Sequence, residues 1–471
     1  MNLAQHNPVK IAVSELSFSY GPENTTPILH RVSLDISPGM MVAFIGPSGA
    51  GKSTVVTDMA VSYLTGRPWL DADIERTAGH VLWIAAEDDY GTERRVRHLL
   101  RAEPNARELA SRNITANVVA PGFIDMHVHL DSPADIGGFR GLEYTDSFFA
   151  MTAVGNARAM LDAGFTTVRN VGSAGRNDIG LKQAIANGYA IGPRIVPAGY
   201  ALGATGGHCD STFLPPSLEK AKKEEGVGDG EEELRYQVRR QRKFGAEVIK
   251  VCATGGVFSR NTEPGQQQLS EAELRAIVDE AQMWGLRVAA HAHGAAGIKA
   301  AIKAGVDTIE HVSLVDDEGI KLAAARKQPV WFSMDIYNTD YTQAEGAKNG
   351  VLEDNLRKDR EVAQIQRDNF RKAHKAGVRM VFGSDAGVMP HGQVGGQFKI
   401  MVQYGMSAME AIQAATRNAA QALGREKDIG AIAIGRFADM IAVDGDPLAN
   451  IRELEDVDVV IKGGAVVKGA Q

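Results

Sequence analysis

The segment Gly122-Phe123-Ile124-Asp125-Met126-His127-Val128-His129-Leu130 decides the fold prediction for this chain. Together with the preceding Val118-Val119-Ala120, it has the β-branched and aromatic content of a buried strand. Side chains two residues apart in a strand point the same way, so His127 and His129 share one face. As neutral imidazoles they could bind one cation from the end of that strand. Alternatively, they are two exposed or hydrogen-bonded histidines at a strand end.

Composition limits the possible classes of function. The 471-residue chain is long enough for two or three domains, or for one large barrel with an accessory domain. Its 51 basic and 58 acidic residues give a formal net charge of −7, which does not suit nucleic acid or an anionic membrane. Residues 1–13 lack the apolar core expected of a signal peptide, and no run approaches the ~20 apolar residues that cross a bilayer. Its two cysteines exclude a disulfide-stapled secreted scaffold. We therefore expect a cytoplasmic protein without nucleic-acid or membrane partners.

From residue 119 to residue 425, predicted strands and amphipathic helices alternate with short loops. The number and spacing of the strands are typical of a (β/α)8 barrel, or TIM barrel. The eight candidate strands are residues 119–129, 166–172, 194–200, 247–254, 287–293, 307–313, 329–335 and 379–385. Glycine follows the predicted helices at Ala163-Gly164, Ala304-Gly305 and Ala376-Gly377, as expected at helix C-termini. The sequence thus predicts an α/β fold whose main domain is a TIM barrel.

The C-terminal ends of barrel strands, where the chemistry of such folds gathers, are rich in ionisable residues here. Besides His127 and His129, the predicted strand ends carry Lys250, His291, His293, Glu310, His311 and Asp385. Taken singly, Lys250 could pair with a carboxylate, Asp385 could cap a helix, and His311 could be a core histidine. Because buried ionisable groups are costly unless paired or bound to metal, the complete set favours a metal site.

With these motifs, residues 119–471 resemble the amidohydrolase superfamily. The resemblance implies a first set of ligands, for the more buried of two metal ions, and a second set, for the more exposed ion. The first set is His127 and His129, with Asp385, and the second is His291 and His311. The resemblance further implies that Lys250 bridges both ions as a carbamate formed with CO₂.

The same resemblance implies catalytic roles for Asp385, which would shuttle protons, and for His293, which would either support a metal ligand or face the substrate. Two divalent ions in such a centre would activate water and polarise the scissile carbonyl. Four imidazoles with carboxylate and carbamate oxygens favour borderline ions, above all Zn²⁺. We therefore expect a metal-dependent hydrolase of C–N bonds.

Three further segments, residues 206–213, 253–259 and 333–341, resemble the dipeptidase and carboxypeptidase branch, which is similar to prolidases. The nearest subgroup releases C-terminal Lys or Arg from dipeptides and N-acyl amino acids, which implies that substrate class here. Xaa-Pro dipeptidase activity and, more distantly, ochratoxin-type amide or lactone hydrolysis are the alternatives.

Recognition of such a substrate needs partners for its α-carboxylate and for any basic side chain. The candidate partners of the carboxylate or oxyanion are His208, Tyr337 and His391. The candidate partners of a basic side chain are Asp210, Asp335 and Asp340. Each of these residues could equally be an ordinary loop or turn residue.

The N-terminal region contains a complete phosphate-loop motif, Gly46-Pro47-Ser48-Gly49-Ala50-Gly51-Lys52-Ser53-Thr54. In such a loop, backbone N–H groups face phosphate oxygens, Lys52 meets the β and γ phosphates, and Ser53 binds Mg²⁺. The candidate nucleotide-binding residues are Gly46, Gly49, Gly51, Lys52, Ser53 and Thr54. Residues 11–54 resemble ABC-transporter ATPases, whereas residues 65–89 resemble RepA/RecA-type ATPases.

Two unlike fragments within residues 1–118 are too short to close a P-loop sheet. We therefore expect a partial P-loop α/β segment, joined to the barrel as in a chimera, and binding of ATP and Mg²⁺ remains open. A different class of function follows from the same motif, namely a nucleotide-binding protein with an inactive barrel.

Residues 426–471 resemble the C-terminal half of the small β-sandwich that accompanies the amidohydrolase barrel. The other half normally precedes the barrel, where this chain has P-loop material, so the sandwich is predicted to be incomplete. Unpaired strands expose backbone edges and apolar faces, and we expect reduced stability or self-association into a homo-oligomer. The predicted domains are residues 1–118, 119–425 and 426–471.

Overall fold

The structure is a computed structural model that describes residues 117–212, 214, 217 and 225–469, and the backbone of three strands nearer the N-terminus. These strands are β1 (Ile11–Phe18), β2 (Leu29–Ile36) and β3 (Leu82–Ile84). The phosphate-loop residues 46–54 lie outside the described residues. Their nucleotide contacts therefore stay a prediction.

The chain divides into two compact units. The first comprises Met1–Val119 with Ile432–Arg436, and the second comprises Ala120–Ala431 with Phe437–Gln471. In the first unit β1 pairs with β2 in antiparallel fashion, and β3 pairs in parallel with β4 (Asn117–Pro121). The predicted domain limits at residues 118 and 425 remain a proposal.

The second unit contains eight parallel barrel strands, each at the position predicted from the sequence. They are β5 (Phe123–Val128), β6 (Phe165–Asn170), β7 (Arg194–Pro197), β8 (Val248–Cys252), β9 (Arg287–Gly294), β10 (Thr308–Leu314), β11 (Trp331–Ser333) and β12 (Met380–Val381). Strands β5 to β7 pair in sequence order, and so do strands β8 to β12.

Backbone hydrogen bonds join these two groups of strands at both seams. Between β5 and the end of β12, Met126 N donates to Phe382 O at 2.9 Å and Asp385 N donates to His127 O at 2.8 Å. Between β7 and β8, Glu247 N donates to Pro197 O at 2.8 Å. The sheet therefore closes on itself, and the predicted TIM barrel is confirmed.

Helices follow the barrel strands. The described α-helices are α1 (Asp146–Asp162), α2 (Asn177–Ala186), α3 (Glu231–Phe244), α4 (Glu271–Met283), α5 (Ala295–Ala304), α6 (Asp317–Ala325), α7 (Asn338–Glu345), α8 (Glu353–Lys375), α9 (Gly396–Gln403), α10 (Ala408–Ala414) and α11 (Arg417–Leu423). Helix α4 begins with a capping box, in which the Ser270 hydroxyl accepts from Glu273 N and the Glu273 carboxylate accepts from Ser270 N. Helix α5 ends at Gly305, whose φ of +103° suits glycine. These local signals stop and start the helices so that the next strand can return to the barrel.

Four phenylalanines fill part of the barrel core. Phe123, Phe165, Phe382 and Phe398 are fully buried. Their ring centroids lie 4.6 Å apart between Phe382 and Phe398 and 5.1 Å apart between Phe165 and Phe382. This aromatic packing joins β5, β6 and the end of β12 to α9, and it holds the strand ends that carry the ionisable residues.

Three strands that follow the barrel, β13 (Met440–Asp444), β14 (Val459–Lys462) and β15 (Ala465–Lys468), pair with one another in antiparallel fashion. Lys462 Nζ donates to Gly192 O at 2.6 Å, and Arg194 pairs with Asp439 at 2.8 Å. These contacts attach the three strands to the barrel beside β7. The predicted self-association stays a prediction.

Cys209 and Cys252 form a disulfide, which joins the segment after β7 to the last residue of β8. This bond differs from what is expected of a cytoplasmic protein, because structural disulfides are rare in that reducing compartment. A cytoplasmic location stays a prediction. In the part of the chain that the structure describes, no helix is long and apolar enough to span a membrane.

Candidate metal centre

The six predicted ligands lie together at the C-terminal end of the barrel. His127 lies in β5 and His129 directly follows it, Lys250 lies in β8, His291 in β9 and His311 in β10, and Asp385 follows β12. His127, Lys250, His291, His311 and Asp385 are buried, and the side chain of His129 is 27% exposed. The barrel thus brings residues that are 258 positions apart in sequence (385 − 127) to one end of the fold.

Asp385 is the meeting point of the first group of ligands. Its Oδ1 lies 3.3 Å from His127 Nε2 and 3.5 Å from His129 Nε2. Lys250 Nζ lies 3.5 Å from the same His127 Nε2. Three nitrogens and a carboxylate oxygen therefore converge on one small volume.

His311 connects this first group to a second one. Ligand atoms of His127, His311 and Asp385 all lie within 4.8 Å of one another, and so do ligand atoms of His291, His293 and His311. The two groups share His311, so two ions could lie side by side at this barrel end. The structure also brings His293 into the second group, where its ring stacks on that of His311 at 4.5 Å.

In three of the histidines, a hydrogen bond fixes which ring nitrogen carries the proton and therefore which nitrogen keeps the lone pair. The acceptors of Nδ1 are a Glu310 carboxylate at 3.1 Å from His127, the Gly172 carbonyl at 3.1 Å from His129, and the Asp335 carboxylate at 3.0 Å from His311. Because a carbonyl oxygen can only accept, and these carboxylates lie in hydrogen-bond reach, each Nδ1 carries the proton. The lone pair is then on Nε2, the atom that faces the other ligands.

His291 has the opposite arrangement. Its Nε2 lies 3.1 Å from the Gly255 carbonyl, so Nε2 donates and Nδ1 keeps the lone pair. In its neighbour His293, Nδ1 lies 2.8 Å from the Ser313 hydroxyl, which can donate or accept. The fixed tautomer of His291 supports its assignment as the ligand of this pair.

The backbone at two of the strand ends has unusual geometry. His311, Val312 and Asp385 have φ angles of +69°, +57° and +57°. Such values are uncommon outside glycine, and for the β-branched Val312 they cost of the order of 1–2 kcal/mol. The regular pairing of β10 with β9 also shifts after His311. Backbone strain of this kind clusters at functional sites, and here it lies at two predicted ligands.

Burial keeps His127, His129 and His291 neutral, whereas the Asp335 carboxylate raises the pKa of His311 against the effect of burial. Burial, together with a smaller effect of the nearby Lys250 ammonium, lowers the pKa of His129 to about 3. Burial likewise holds the pKa of His127 and of His291 well below the ordinary value. Neutral imidazoles are the form that binds metal.

The pKa values of the lysine and of the aspartate in the centre are also shifted. Burial lowers the pKa of Lys250 to about 8, against the opposing effect of Glu310 and Asp385. Burial raises the pKa of Asp385 to about 7. Neutral nitrogens, a readily neutralised lysine and a carboxylate in one buried volume fit divalent cations, because a cation supplies the charge that this volume lacks.

The predicted substrate residues have different surroundings. The ring of His208 stacks on His291, with centroids 4.1 Å apart, and its Nδ1 lies 2.8 Å from the Ser259 hydroxyl. His391 donates from Nε2 to the His129 carbonyl at 3.1 Å. Tyr337 instead lies against Gly396 at the start of α9, where an added Cβ would come within 2.5 Å of its ring. The structure thus brings His208 and His391 to the predicted ligands, and it places Tyr337 beside α9.

The three acidic candidates for a basic substrate side chain already have partners. Asp335 accepts from His311, Asp340 pairs with Arg367 at 2.7 Å, and Asp210 accepts from Gly206 N at 2.7 Å. Their described contacts therefore orient a histidine, bind an arginine and cap a turn.

Three supporting residues had no individual role in the sequence prediction, in which Glu310 was only one member of the strand-end set. Glu310 and Arg169 form a buried pair beside His127. Lys358, which is fully buried, donates to Thr262 O at 3.1 Å in the segment that holds Ser259. One signal was available, since Arg169 interrupts an otherwise uncharged strand and Glu310 directly precedes His311. Charged residues inside barrel strands are unusual unless they are paired.

Comparisons with known proteins agree with this geometry. The model of the amidohydrolase family matches residues 118–467, and the chain belongs to that family. It is therefore a hydrolase that acts on amide bonds. A model of an AAA domain matches residues 11–136, which supports the P-loop resemblance.

Individual relatives point to the same group of enzymes. The ochratoxinase of Aspergillus niger is 33% identical over 75% of this chain and 76% of its own length. A solved Xaa-Pro dipeptidase with bound methionine is 38% identical, with a TM-score of 0.69 over 75% of this chain and 87% of that one. A prolidase complexed with N-methylphosphonate-L-proline is 34% identical, with a TM-score of 0.69 over 75% of this chain and 88% of that one.

Proposed function

We propose that the barrel hydrolyses the amide bond of dipeptides and N-acyl amino acids at a binuclear metal centre. The observation that carries this proposal is the arrangement around Asp385, whose Oδ1 lies within 3.5 Å of two histidines. His311 belongs both to this group and to the group of His291 and His293. A shared ligand between two adjacent groups suits two neighbouring ions.

In this proposal His127, His129 and Asp385 hold the buried ion, and His291 and His311 hold the second. Lys250, as a carbamate formed with CO₂, would be a ligand to both. The donor set of nitrogen and carboxylate atoms suits Zn²⁺. When bound, two such ions polarise a carbonyl and increase the acidity of water.

Asp385 is the proposed general base and acid. Its pKa is raised to about 7, mainly by burial, so it can accept and release a proton near neutral pH. It takes a proton from the attacking water and returns it to the departing amide nitrogen. Asn338 Nδ2 lies 3.5 Å from Asp385 Oδ2 and helps to orient the carboxylate. His293 faces the same volume as the second proposed catalytic residue.

His208 is the best-supported partner for the substrate α-carboxylate. Its Nδ1 is engaged by Ser259, so its Nε2 remains for the substrate. Burial lowers the pKa of His208 to about 3, and the nearby His311 adds to this effect, so the neutral ring binds by hydrogen bonding. His391 and Tyr337 stay candidates with weaker support, because His391 already donates to the His129 carbonyl.

The contacts of the three acidic candidate residues bear on which C-terminal residue of the substrate the enzyme would prefer. The sequence prediction was release of Lys or Arg, which requires an anion beside the substrate side chain. Because Asp210, Asp335 and Asp340 have other partners, an uncharged residue such as proline has more support. The similarity to a prolidase and to an Xaa-Pro dipeptidase points the same way.

The test is a substrate panel measured together with metal content. The panel contains Ala-Pro, Ala-Arg, Ala-Lys and an N-acyl phenylalanine, and the protein is stripped with a chelator and then reloaded with Zn²⁺. We expect hydrolysis to disappear and return, and Ala-Pro to exceed Ala-Arg. The Asp385→Asn variant should remain folded and lose about 10²–10⁴-fold in kcat. Hydrolysis that is insensitive to the chelator would refute the metal centre.

The AAA-domain match favours a second candidate function, nucleotide binding by residues 46–54. We propose that Lys52, with the backbone of Gly46, Gly49 and Gly51 and the side chains of Ser53 and Thr54, holds the phosphates of ATP with Mg²⁺. Titration with a fluorescent ATP analogue, with Lys52→Ala as the matched variant, tests this proposal. Equal, negligible binding by both proteins would refute it.

A further inference from the structure

We propose that Arg169 and Glu310 are positioning residues that set the affinity of the buried ion by fixing His127. This inference rests on the proposed metal centre and concerns two residues outside the six predicted ligands. Neither residue is placed to touch substrate. Their role is to fix a ligand through hydrogen bonds.

The first link is between Glu310 and the ring of His127. Glu310 Oε2 lies 3.1 Å from His127 Nδ1, and both side chains are buried. The carboxylate therefore holds the proton on Nδ1 and turns Nε2 toward Asp385 Oδ1, 3.3 Å away. A carboxylate behind a ligating imidazole also makes the imidazole more basic, which strengthens its bond to metal.

The second link is between Glu310 and Arg169. Arg169 Nη2 lies 2.6 Å from Glu310 Oε1, and the side chains of the two residues are 2% and 0% exposed. The guanidinium is a permanent cation, and a contact of this length is typical of its pairing with an ionised carboxylate. Glu310 is thus an anion with both oxygens engaged.

Arg169 also fixes the backbone that carries His127. Its Nε donates to Met126 O at 2.6 Å, directly before His127, and its Nη1 donates to Thr308 Oγ1 at 2.8 Å. One guanidinium on β6 therefore connects β5 and β10. It fixes the ring of His127 through Glu310 and the chain beside that ring through Met126.

The energetics favour a positioning role over a purely stabilising one. A buried ion pair often stabilises a protein no more than well-packed apolar residues of the same volume. If this pair only filled the core, its replacement by uncharged residues of similar shape would leave metal binding unchanged. If it positions His127, the same replacement weakens metal binding while the fold survives.

The experiment compares Zn²⁺ and Co²⁺ affinities of the metal-free full-length chain by competition with a chromogenic chelator. The variants are Glu310→Gln, which keeps an acceptor for His127 and removes the charge, and Arg169→Met with Glu310→Gln, which removes both charges. The matched control is Glu280→Gln on α4, a buried carboxylate that pairs with Arg239.

We expect the parent and the control to bind two ions alike. In both test variants one ion should bind roughly 10–100-fold more weakly, with the other unchanged, and the Co²⁺ absorption spectrum should change. Folded variants that bind both ions as tightly as the parent would overturn the inference and leave the proposed centre intact. A parent that binds no ions would overturn both.

A second measurement is made on the parent protein, and a variant serves only to assign one signal. The ring-nitrogen NMR shifts of the metal-free parent report the tautomer of each histidine, and His127→Gln identifies the relevant signal. We expect the proton of His127 on Nδ1. A proton on Nε2 would overturn the inference.

Discussion

The imidazole of His208 stacks on that of His291, with ring centroids 4.1 Å apart and planes inclined by 19°. This contact places the proposed carboxylate-binding residue directly against a proposed metal ligand. A substrate held by His208 through its carboxylate would therefore have its amide bond close to the ions. If His208 binds the carboxylate as proposed, the separation between these two rings would limit substrates to those with a carboxylate near the scissile bond.

Replacement of His208 by alanine tests this arrangement. A hydrogen bond to a charged group contributes about 1.5–3 kcal/mol, so we expect KM to rise roughly 10–100-fold with a smaller change in kcat. Steady-state kinetics on the preferred dipeptide measure the effect. His374→Ala on α8, whose partner is Glu410, is the control and should behave as the parent. A lower kcat at unchanged KM would contradict a binding role.

Gly256 gives a second test, because a Cβ at this position would lie 2.3 Å from Cε1 of the His208 ring. Gly256→Ala should therefore displace the ring and raise KM in the same direction as His208→Ala. Gly265→Ala is the matched control, since its Cβ would lie 3.9 Å from Leu314 and meet no closer atom. The double variant of His208 and Gly256 should be no worse than His208→Ala alone. Additive losses would show that Gly256 acts on something else.

Metal binding should weaken as pH falls below 7. Burial raises the pKa of Asp385 to about 7, and the Asp335 carboxylate raises the pKa of His311 against the effect of burial. In the metal-free protein both groups are protonated at lower pH, and an ion must displace those protons. The affinity for Zn²⁺ should therefore fall about tenfold per pH unit for each proton displaced.

Calorimetry in buffers of different ionisation enthalpy measures the released protons directly. Asp385→Asn removes one titrating group, so this variant should release fewer protons and show a shallower dependence on pH. An affinity that does not change below pH 7 would contradict the assignment of Asp385 as a ligand.

The disulfide between Cys209 and Cys252 should stabilise both the fold and the candidate site. It joins the residue after His208 to a residue two positions beyond Lys250. Cys209→Ser, or reduction of the parent, should lower the free energy of unfolding by roughly 2–4 kcal/mol and raise KM. Thiol titration shows whether the bond is oxidised or reduced, and chemical denaturation measures the free energy of unfolding of each form. Equal stability with and without reductant would show that the bond contributes nothing to the fold.

Much of the barrel follows from local sequence, because each strand is a short apolar run followed by a helix with its own end signals. The two-residue period of a strand indicated that His127 and His129 share one face, and Gly305 indicated the end of a helix. The roles of Glu310 and Asp335 could not be predicted in this way. Their partners, Arg169 and His311, lie on other strands, and only the closed barrel brings them together.

The prediction for Tyr337 likewise shows that sequence alone does not determine which residues lie together. It rested on the resemblance of residues 333–341 to other enzymes, and the structure places the ring beside Gly396. The pairing of Cys209 with Cys252 likewise depends on how β7 and β8 lie in the barrel. Neither result follows from spacing in the chain.

Because the backbone at His311 and Val312 is left-handed, we expect substitutions nearby to lower the turnover rate more readily than the melting temperature. Because this conformation is unfavourable in isolation, it persists only while neighbouring strands β9 and β11 hold it. A substitution that loosens either neighbour would let the end of β10 relax before the whole barrel melts. Turnover would then decline while the melting temperature scarcely moved, and thermal screening alone would pass variants whose centre has already lost its shape.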